Sequence, residues 1–368
     1  MAGGGDAGGA AGLGPRATKE APILAADFIR SYGLDRNIER PFGYLFRDAR
    51  WATVTALHRD PLPQLAGKPF LTDGGLETTL VFLDGRELPC FAAFPLLESA
   101  AGRRRLRDYF GSYIVTAKRH GAGFLLTSPT WRANADWGAK LGFGAAELAH
   151  INRNAIDLLG ELREEHASAE TPIVLDGIIG PRGDGYRSTQ RMTEVEAERY
   201  HAAQVTSFRE AGADMAEAQT LNYPEEAIGI ARAARAVEMP VVISFTVETD
   251  GKLPSGDTLQ SAITRVDDAT EAAPAYYMIN CAHPSHFGDA LRTGAPWLQR
   301  LRGLRCNASR KSHAELDAAT ELDAGDPAEF GREYRRLRER LPRLSVLGGC
   351  CGTDDRHIAA IAAACFSA

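Results

Sequence analysis

The stretch Leu344-Ser-Val-Leu-Gly-Gly-Cys-Cys-Gly-Thr353 carries both the repeating unit of the fold and its most reactive residues. Leu344–Leu347 is a short apolar run of strand length that ends on glycine, and two adjacent cysteines follow it directly. Seven comparable runs precede it: Pro69–Asp73, Gly123–Thr127, Pro172–Asp176, Asp214–Ala218, Val241–Thr246, Tyr276–Asn280 and Leu301–Arg305. Between them lie amphipathic, Ala/Arg/Glu-rich stretches of helical length, among them Arg103–His120, Ala145–Glu165, Thr193–Ala211, Pro224–Val237 and Asp326–Arg340. Eight strands alternating with helices predict an α/β fold, a closed parallel (β/α)8 TIM barrel. The competing open, doubly wound sheet lacks its usual mark, because no Gly-x-Gly-x-x-Gly opens the first helix.

In the barrel, Cys281 follows strand six and Cys350 follows strand eight, and alternate strands feed the same interior layer. Their thiols therefore converge at the C-terminal face. Cys351 would ordinarily point the other way, but Gly348, Gly349 and Gly352 let the backbone turn as the strand ends. Adjacent cysteines bridge each other only with strain, whereas two thiolates on a loosened backbone suit a soft cation such as Zn2+. Three protein ligands, Cys281, Cys350 and Cys351, leave a fourth position open for chemistry. His283 and His286 offer the alternative of a Cys-x-His pair that closes the site and makes it structural. Cys90, Cys306 and Cys365 read as ordinary packing residues.

The residues resemble the homocysteine S-methyltransferase family, over about Pro69 to Ala364. Asp73-Gly74-Gly75 is similar to its opening motif, Thr130-Trp131-Arg132-Ala133 to the motif after strand two, and Ile179-Gly180-Pro181-Arg182-Gly183 to the loop after strand three. Ser244-Phe245-Thr246 with Asp250-Gly251 fits strand five, Asn280-Cys281 fits the first zinc cysteine, and Gly348 through Thr353 fits the pair. The resemblance implies a zinc-dependent barrel that methylates a thiol to a thioether. It places Asp73 and Gly74 at the bound amino acid, and Gln219 and Asn280 at polar contacts near the acceptor. Two positions depart from the family pattern. Gln219-Thr220 stands where Glu-Thr is usual, so the ordinary ammonium partner is neutral, and Arg305-Cys306-Asn307 stands where Tyr-Pro-Asn is usual. Glu217, on the same strand face as Gln219, is either a displaced carboxylate or a buried structural one. Trp131, Trp137 and Arg182 sit in loops at the same face, where an aromatic ring can cover a cation.

The expected activity moves a methyl group from a cationic donor to a small thiol, homocysteine to give methionine. Binding the thiol to zinc yields the thiolate nucleophile at neutral pH, and attack on an onium methyl consumes charge on both reactants. The alternatives are a non-catalytic zinc-binding scaffold or sensor, and a related transferase acting on another small molecule.

Composition excludes other classes. With 42 basic and 48 acidic residues among 368, the chain is a poor phosphate-backbone binder, so nucleic acid is not an expected partner. No apolar run reaches membrane-helix length and no signal pattern opens the chain, which predicts a protein without a membrane partner. Six cysteines are too few for a disulfide scaffold, and metal-binding thiols must stay reduced, which points to the cytoplasm. An oligomer is compatible with all of this. Residues 1–66 read as an extension, Gly/Ala-rich and disordered at its start, with 67–368 as the barrel. A chain beginning near Pro61 is expected to retain the fold.

Overall fold

The computed structural model describes residues 54–292 and 294–366; the Gly/Ala-rich start of the extension lies outside them. Eight strands, β1 (Phe70–Leu71), β2 (Gly123–Thr127), β3 (Ile173–Ile179), β4 (Met215–Leu221), β5 (Val241–Phe245), β6 (Tyr276–Asn280), β7 (Leu301–Cys306) and β8 (Val346–Gly349), form a closed barrel. Each is parallel to the next, and β1 closes on β8 with Phe70 opposite Val346. The fold is the (β/α)8 TIM barrel that the strand pattern predicts. Seven long helices surround it: α1 (Ala100–Arg119), α2 (Ala145–His166), α3 (Glu194–Ala211), α4 (Pro224–Ala236), α5 (Leu259–Thr270), α6 (Pro327–Arg340) and α7 (Asp355–Phe366).

Strands β2 and β6 span the residues read from sequence, and the other strand ends shift by up to three positions. One connection differs in kind. After β6 there is no long helix, only the short helix Pro284–Phe287 and 3-10 turns at Ala290–Arg292 and Pro296–Arg300. Pro284, Gly288, Gly294 and Pro296 interrupt this stretch too often for a helix to propagate. Among the described residues no helix is long and apolar enough to cross a membrane.

The inside of the barrel is layered by the two-residue period of the strands. Phe70, Leu125, Val174, Met215, Val242, Tyr276, Met278 and Val346 pack as an apolar floor, with Leu62 beneath them. Two residues further along the strands the same face carries Thr72, Thr127, Asp176, Glu217, Ser244, Asn280 and Gly348. Alternation thus converts a dry core into a polar layer within one step along each strand. That polar layer is the base of the functional face.

Residues 54–66, assigned to the extension from sequence, pack against the barrel. Val54 lies where a Cβ on Gly160 or Gly212 would collide with it, and Gly212 also ends α3 in the left-handed conformation that glycine adopts freely. Buried Asp214 Oδ1 accepts from the backbone N–H groups of Leu57 (2.7 Å) and His58 (2.9 Å). Its Oδ2 accepts from Arg163 (3.0 Å) and from the N–H of Leu175 (2.8 Å), so one carboxylate ties this segment to α2 and β3. Removing residues 1–60 is therefore expected to cost about 3 kcal/mol, because Asp214 Oδ1 loses both amide donors in a buried position. Urea unfolding of the shortened and full-length chains measures this, and equal midpoints would show that residues 54–60 contribute nothing to stability.

Candidate metal centre and active site

The three cysteines meet at the C-terminal rim. Cys281 Sγ lies 3.0 Å from Cys350 Sγ and 3.6 Å from Cys351 Sγ, and all three sulfurs fall within 4.8 Å of one another. Tetrahedral thiolate ligation with Zn–S bonds of about 2.3 Å separates sulfurs by about 3.8 Å, so small side-chain rotations satisfy it. The donor set is soft and the site is bounded on one side only, which fits zinc with an open position. Hydrogen bonds from Cys350 and Cys351 hold the Cys281 thiol well below the ordinary thiol range. The reciprocal contact with Cys281 pushes Cys350 up to about 12.

Local backbone chemistry explains how adjacent cysteines face one cavity. Thr353 donates from both its N–H and its hydroxyl to the Cys350 carbonyl, closing a turn in which Gly352 has φ +79°. Only glycine adopts that conformation without strain. Gly348 and Gly349 act differently: a Cβ on either would sit within 2.0 Å of Thr72 Oγ1 or Thr353 Oγ1, so they are there for close approach. Cys281 itself has φ +56°, an unfavourable value for cysteine. Its carbonyl accepts from His313 Nε2 (2.6 Å) and Asn307 Nδ2 (2.9 Å), and its N–H donates to Arg305 O (3.0 Å). These contacts hold the strained residue in place.

Beside the sulfurs opens a cavity of about 480 Å³ lined by Asp73, Gly74, Glu77, Gln219, Arg305 and the three cysteines, among others. Asp73 is 2 % exposed and fully engaged. Its Oδ1 accepts from Arg305 Nη2 (2.8 Å) and Thr127 Oγ1 (2.9 Å), and its Oδ2 from Tyr109 Oη (3.0 Å). Burial pulls the Arg305 guanidinium down, but the charges of Asp73, Glu217 and Cys350 more than offset it, so it stays cationic. Deeper still, Asp176 and Glu217 form a buried carboxylate pair. Burial first, and then the neighbouring Glu217, raise the Asp176 carboxyl well above its ordinary range.

Gln219 lines the cavity with its Nε2 buried and without a hydrogen-bond partner. The register of β4 against β5 shifts between Ala218 and Leu221, and this irregularity turns both Gln219 and Thr220 toward the cavity. Thr220 has φ +62°, and Asn280 fixes it there. Asn280 Oδ1 accepts from Thr220 N–H (2.9 Å) and Ser244 Oγ (2.8 Å), while its Nδ2 donates to Thr220 Oγ1 (2.9 Å). Asn280 is fully buried and does not line the cavity, so it positions the wall rather than touching an occupant. Glu217 is also fully buried and absent from the cavity wall, which makes it structural.

The remaining sequence candidates divide cleanly. His283 Nε2 faces Glu333 (3.2 Å) and its Nδ1 faces Ser285 (2.8 Å), while His286 Nε2 reaches Arg310 O (2.9 Å), so neither histidine joins the sulfurs. Trp131 lines the cavity, but the Arg132 guanidinium stacks between it and Trp137 at 3.9 and 3.8 Å from the ring centroids. Arg182 pairs with Asp136 (2.9 Å) away from the cavity. The sequence reading missed Tyr186, whose Oη lies 3.3 Å from Cys281 Sγ and whose ring stacks on His313 at 4.0 Å. It also missed Glu77, two residues after the Asp-Gly-Gly opening, and the pairing partner of Arg305. The available signal for Arg305 was a charged residue at the end of a strand run, where the family pattern has tyrosine.

With this geometry in view, comparison with known proteins is decisive at the level of family. A profile described as homocysteine S-methyltransferase matches residues 70–365. The chain belongs to the homocysteine S-methyltransferase family. Among curated relatives, the homocysteine S-methyltransferase YbgG of Bacillus subtilis is 25% identical over 280 residues, which is 70% of this chain and 81% of that protein. The barrel is similar to crystal structures of the Escherichia coli homocysteine methyltransferase MmuM. Its oxidized form superposes with a TM-score of 0.66 at 21% identity, covering 83% of this chain and 99% of that one. Its metallated form gives 0.64 at 19% identity, covering 82% and 98%. Membership of the family makes the protein an enzyme, a thiol methyltransferase.

Within this family member the Arg305–Asp73 pair is the most consequential buried contact, since it joins the ends of β1 and β7 beside the sulfurs. Arg305→Met is expected to destabilise the protein by about 3–5 kcal/mol, because it leaves Asp73 buried without its cation. Equilibrium denaturation measures the change, and a loss below 1 kcal/mol would mean that Asp73 is satisfied by Thr127 and Tyr109 alone.

Proposed function

We propose that this enzyme transfers a methyl group from a cationic donor to homocysteine, giving methionine, at a zinc centre held by Cys281, Cys350 and Cys351. The observation that carries the reading is the convergence of three sulfurs from two strand ends on one side of an enclosed cavity. The metallated state of the related Escherichia coli enzyme supports the metal. Zinc bound there supplies the charge that keeps an acceptor thiol deprotonated at neutral pH.

The chain's own residues supply the rest. Arg305, inside the barrel, places a permanent cation near Cys350, where negative charge gathers on the sulfurs. Phe82, Phe91 and Trp131 line the cavity with apolar surface, which keeps bulk water from a transfer that neutralises two charges. The backbone holds on Cys281 and Thr220 fix the sulfurs and the adjacent wall before any substrate arrives, so little reorganisation accompanies binding.

Cys281→Ser, Cys350→Ser and Cys351→Ser are each expected to lose most of the bound zinc and the transfer activity, since a hydroxyl is a poor zinc ligand beside thiolates. Cys90→Ser and Cys306→Ser should retain metal. Elemental analysis reads the zinc content, and X-ray absorption with added homocysteine should show a fourth sulfur replacing a lighter atom. Equal zinc in the wild type and the Cys350→Ser variant would remove the site assignment.

A further inference from the structure

The cavity contains five carboxylates besides Asp73, and their surroundings differ. Asp184, Asp317 and Glu321 are exposed at the rim, and Asp323 accepts from Ser309 Oγ (2.7 Å) and faces Lys311. Asp73 is engaged by Arg305, Thr127 and Tyr109. Glu77 is the exception. It is half-buried, and among the described residues lining the cavity it is the one carboxylate not fully exposed for which no hydrogen bond or ion pair with another residue is found.

Its place is fixed by its neighbours. Gly75 N–H donates to Thr353 O (3.0 Å), and a Cβ on Gly75 would lie 2.5 Å from Cys350 O, so the Asp-Gly-Gly segment is pressed onto the cysteine loop. Thr78 Oγ1 donates to Gly75 O (3.1 Å) and accepts from Gly352 N–H (3.1 Å). Glu77 lies between these anchored residues, so it is carried rigidly beside the sulfurs. Arg132, which lines the same cavity, is stacked between two indoles and donates to Gly183 O (3.2 Å), and no ion pair joins it to Glu77. Burial first, and then the charges of Cys350 and Asp73, push the Glu77 carboxyl up to about 7.

A half-buried carboxylate without an ion-pair partner is stabilised when a cation enters the cavity beside it. The two groups usual for recognising an ammonium are both withdrawn, since Asp73 is neutralised by Arg305 and position 219 carries an amide. We propose that Glu77 is the cation-recognition residue of this pocket, binding the positively charged group of a substrate: the α-ammonium of the acceptor or the onium centre of the donor. Phe82 and Phe91 line the same wall and suit either cation. The inference rests on the thiol-transfer reading and names the residue through which that site selects its substrate.

The test is calorimetric binding to the zinc-loaded, full-length wild type and Glu77→Gln variant. The acceptor arm compares homocysteine with 4-mercaptobutanoate, its analogue without the amino group. The donor arm compares glycine betaine and S-methylmethionine with 3,3-dimethylbutanoate, the neutral-headed isostere of betaine. Glu77→Gln should weaken at least one cationic ligand by about tenfold or more and leave the uncharged counterpart within twofold. The arm that responds identifies which cation Glu77 holds, and Glu77→Asp should restore most of the lost affinity. Binding of every cationic ligand within twofold of wild type, equal losses for charged and uncharged ligands, or no cationic ligand bound by the wild type, would each overturn the proposal. Failure of the wild type to bind either thiol would instead overturn the thiol-transfer reading.

Discussion

The functional face is organised around the guanidinium of Arg305. It reaches from β7 to Asp73 at the end of β1, and its Nε faces the carbonyl of Gly349 at the end of β8. Three strand ends are thereby joined by one side chain in a site that excludes water. A buried ion pair is rarely a net gain over apolar packing, but it is highly intolerant of losing one member. Its value here is geometric: the Asp-Gly-Gly segment, the cysteine pair and β7 cannot move independently. The cysteine pair is thereby tied to the first strand and to β7.

The same cation sets the electrostatics of the barrel interior. Below it lie Asp176 and Glu217, above it the three thiols, and beneath everything an apolar floor. Burial and the neighbouring Glu217 push the Asp176 carboxyl up, which favours its neutral form and limits the negative charge beneath the sulfurs. The fixed positive charge of Arg305 lies beside the same layer and favours negative charge on Cys350.

Much of this was legible in the sequence for a simple reason. Strand runs, helix patterns and the cysteine-glycine cluster are local features, and local features survive in linear order. Cys281 and Cys350 could be brought together from strand parity alone, because parity is a property of the fold class. What escaped depends on partners distant in sequence. Arg305 and Asp73 are 232 residues apart, and nothing near either one names the other. Asn280 was placed at polar contacts near the acceptor, but that its amide bonds to Thr220 and Ser244, 60 and 36 residues away, could not be read from the sequence. The helix expected after β6 failed for the opposite reason: the prolines and glycines that break it were present and local. Residues 54–66 were read as extension because their packing partners, Gly160, Gly212 and Asp214, lie far along the chain.

The clamp that Asn280 places on Thr220 bears on how such an enzyme changes its substrate. Because the backbone at the end of β4 is locked through side-chain hydrogen bonds from β6, the residue at position 219 projects from a platform that does not depend on its own identity. An amide and a carboxylate can exchange there without displacing the sulfurs, whose positions are set by a separate group of contacts around Cys281. The wall at position 219 and the positions of the sulfurs are thus set by different contacts of the same rim. A single substitution at position 219 can therefore reshape that wall while the arrangement of the sulfurs is left intact.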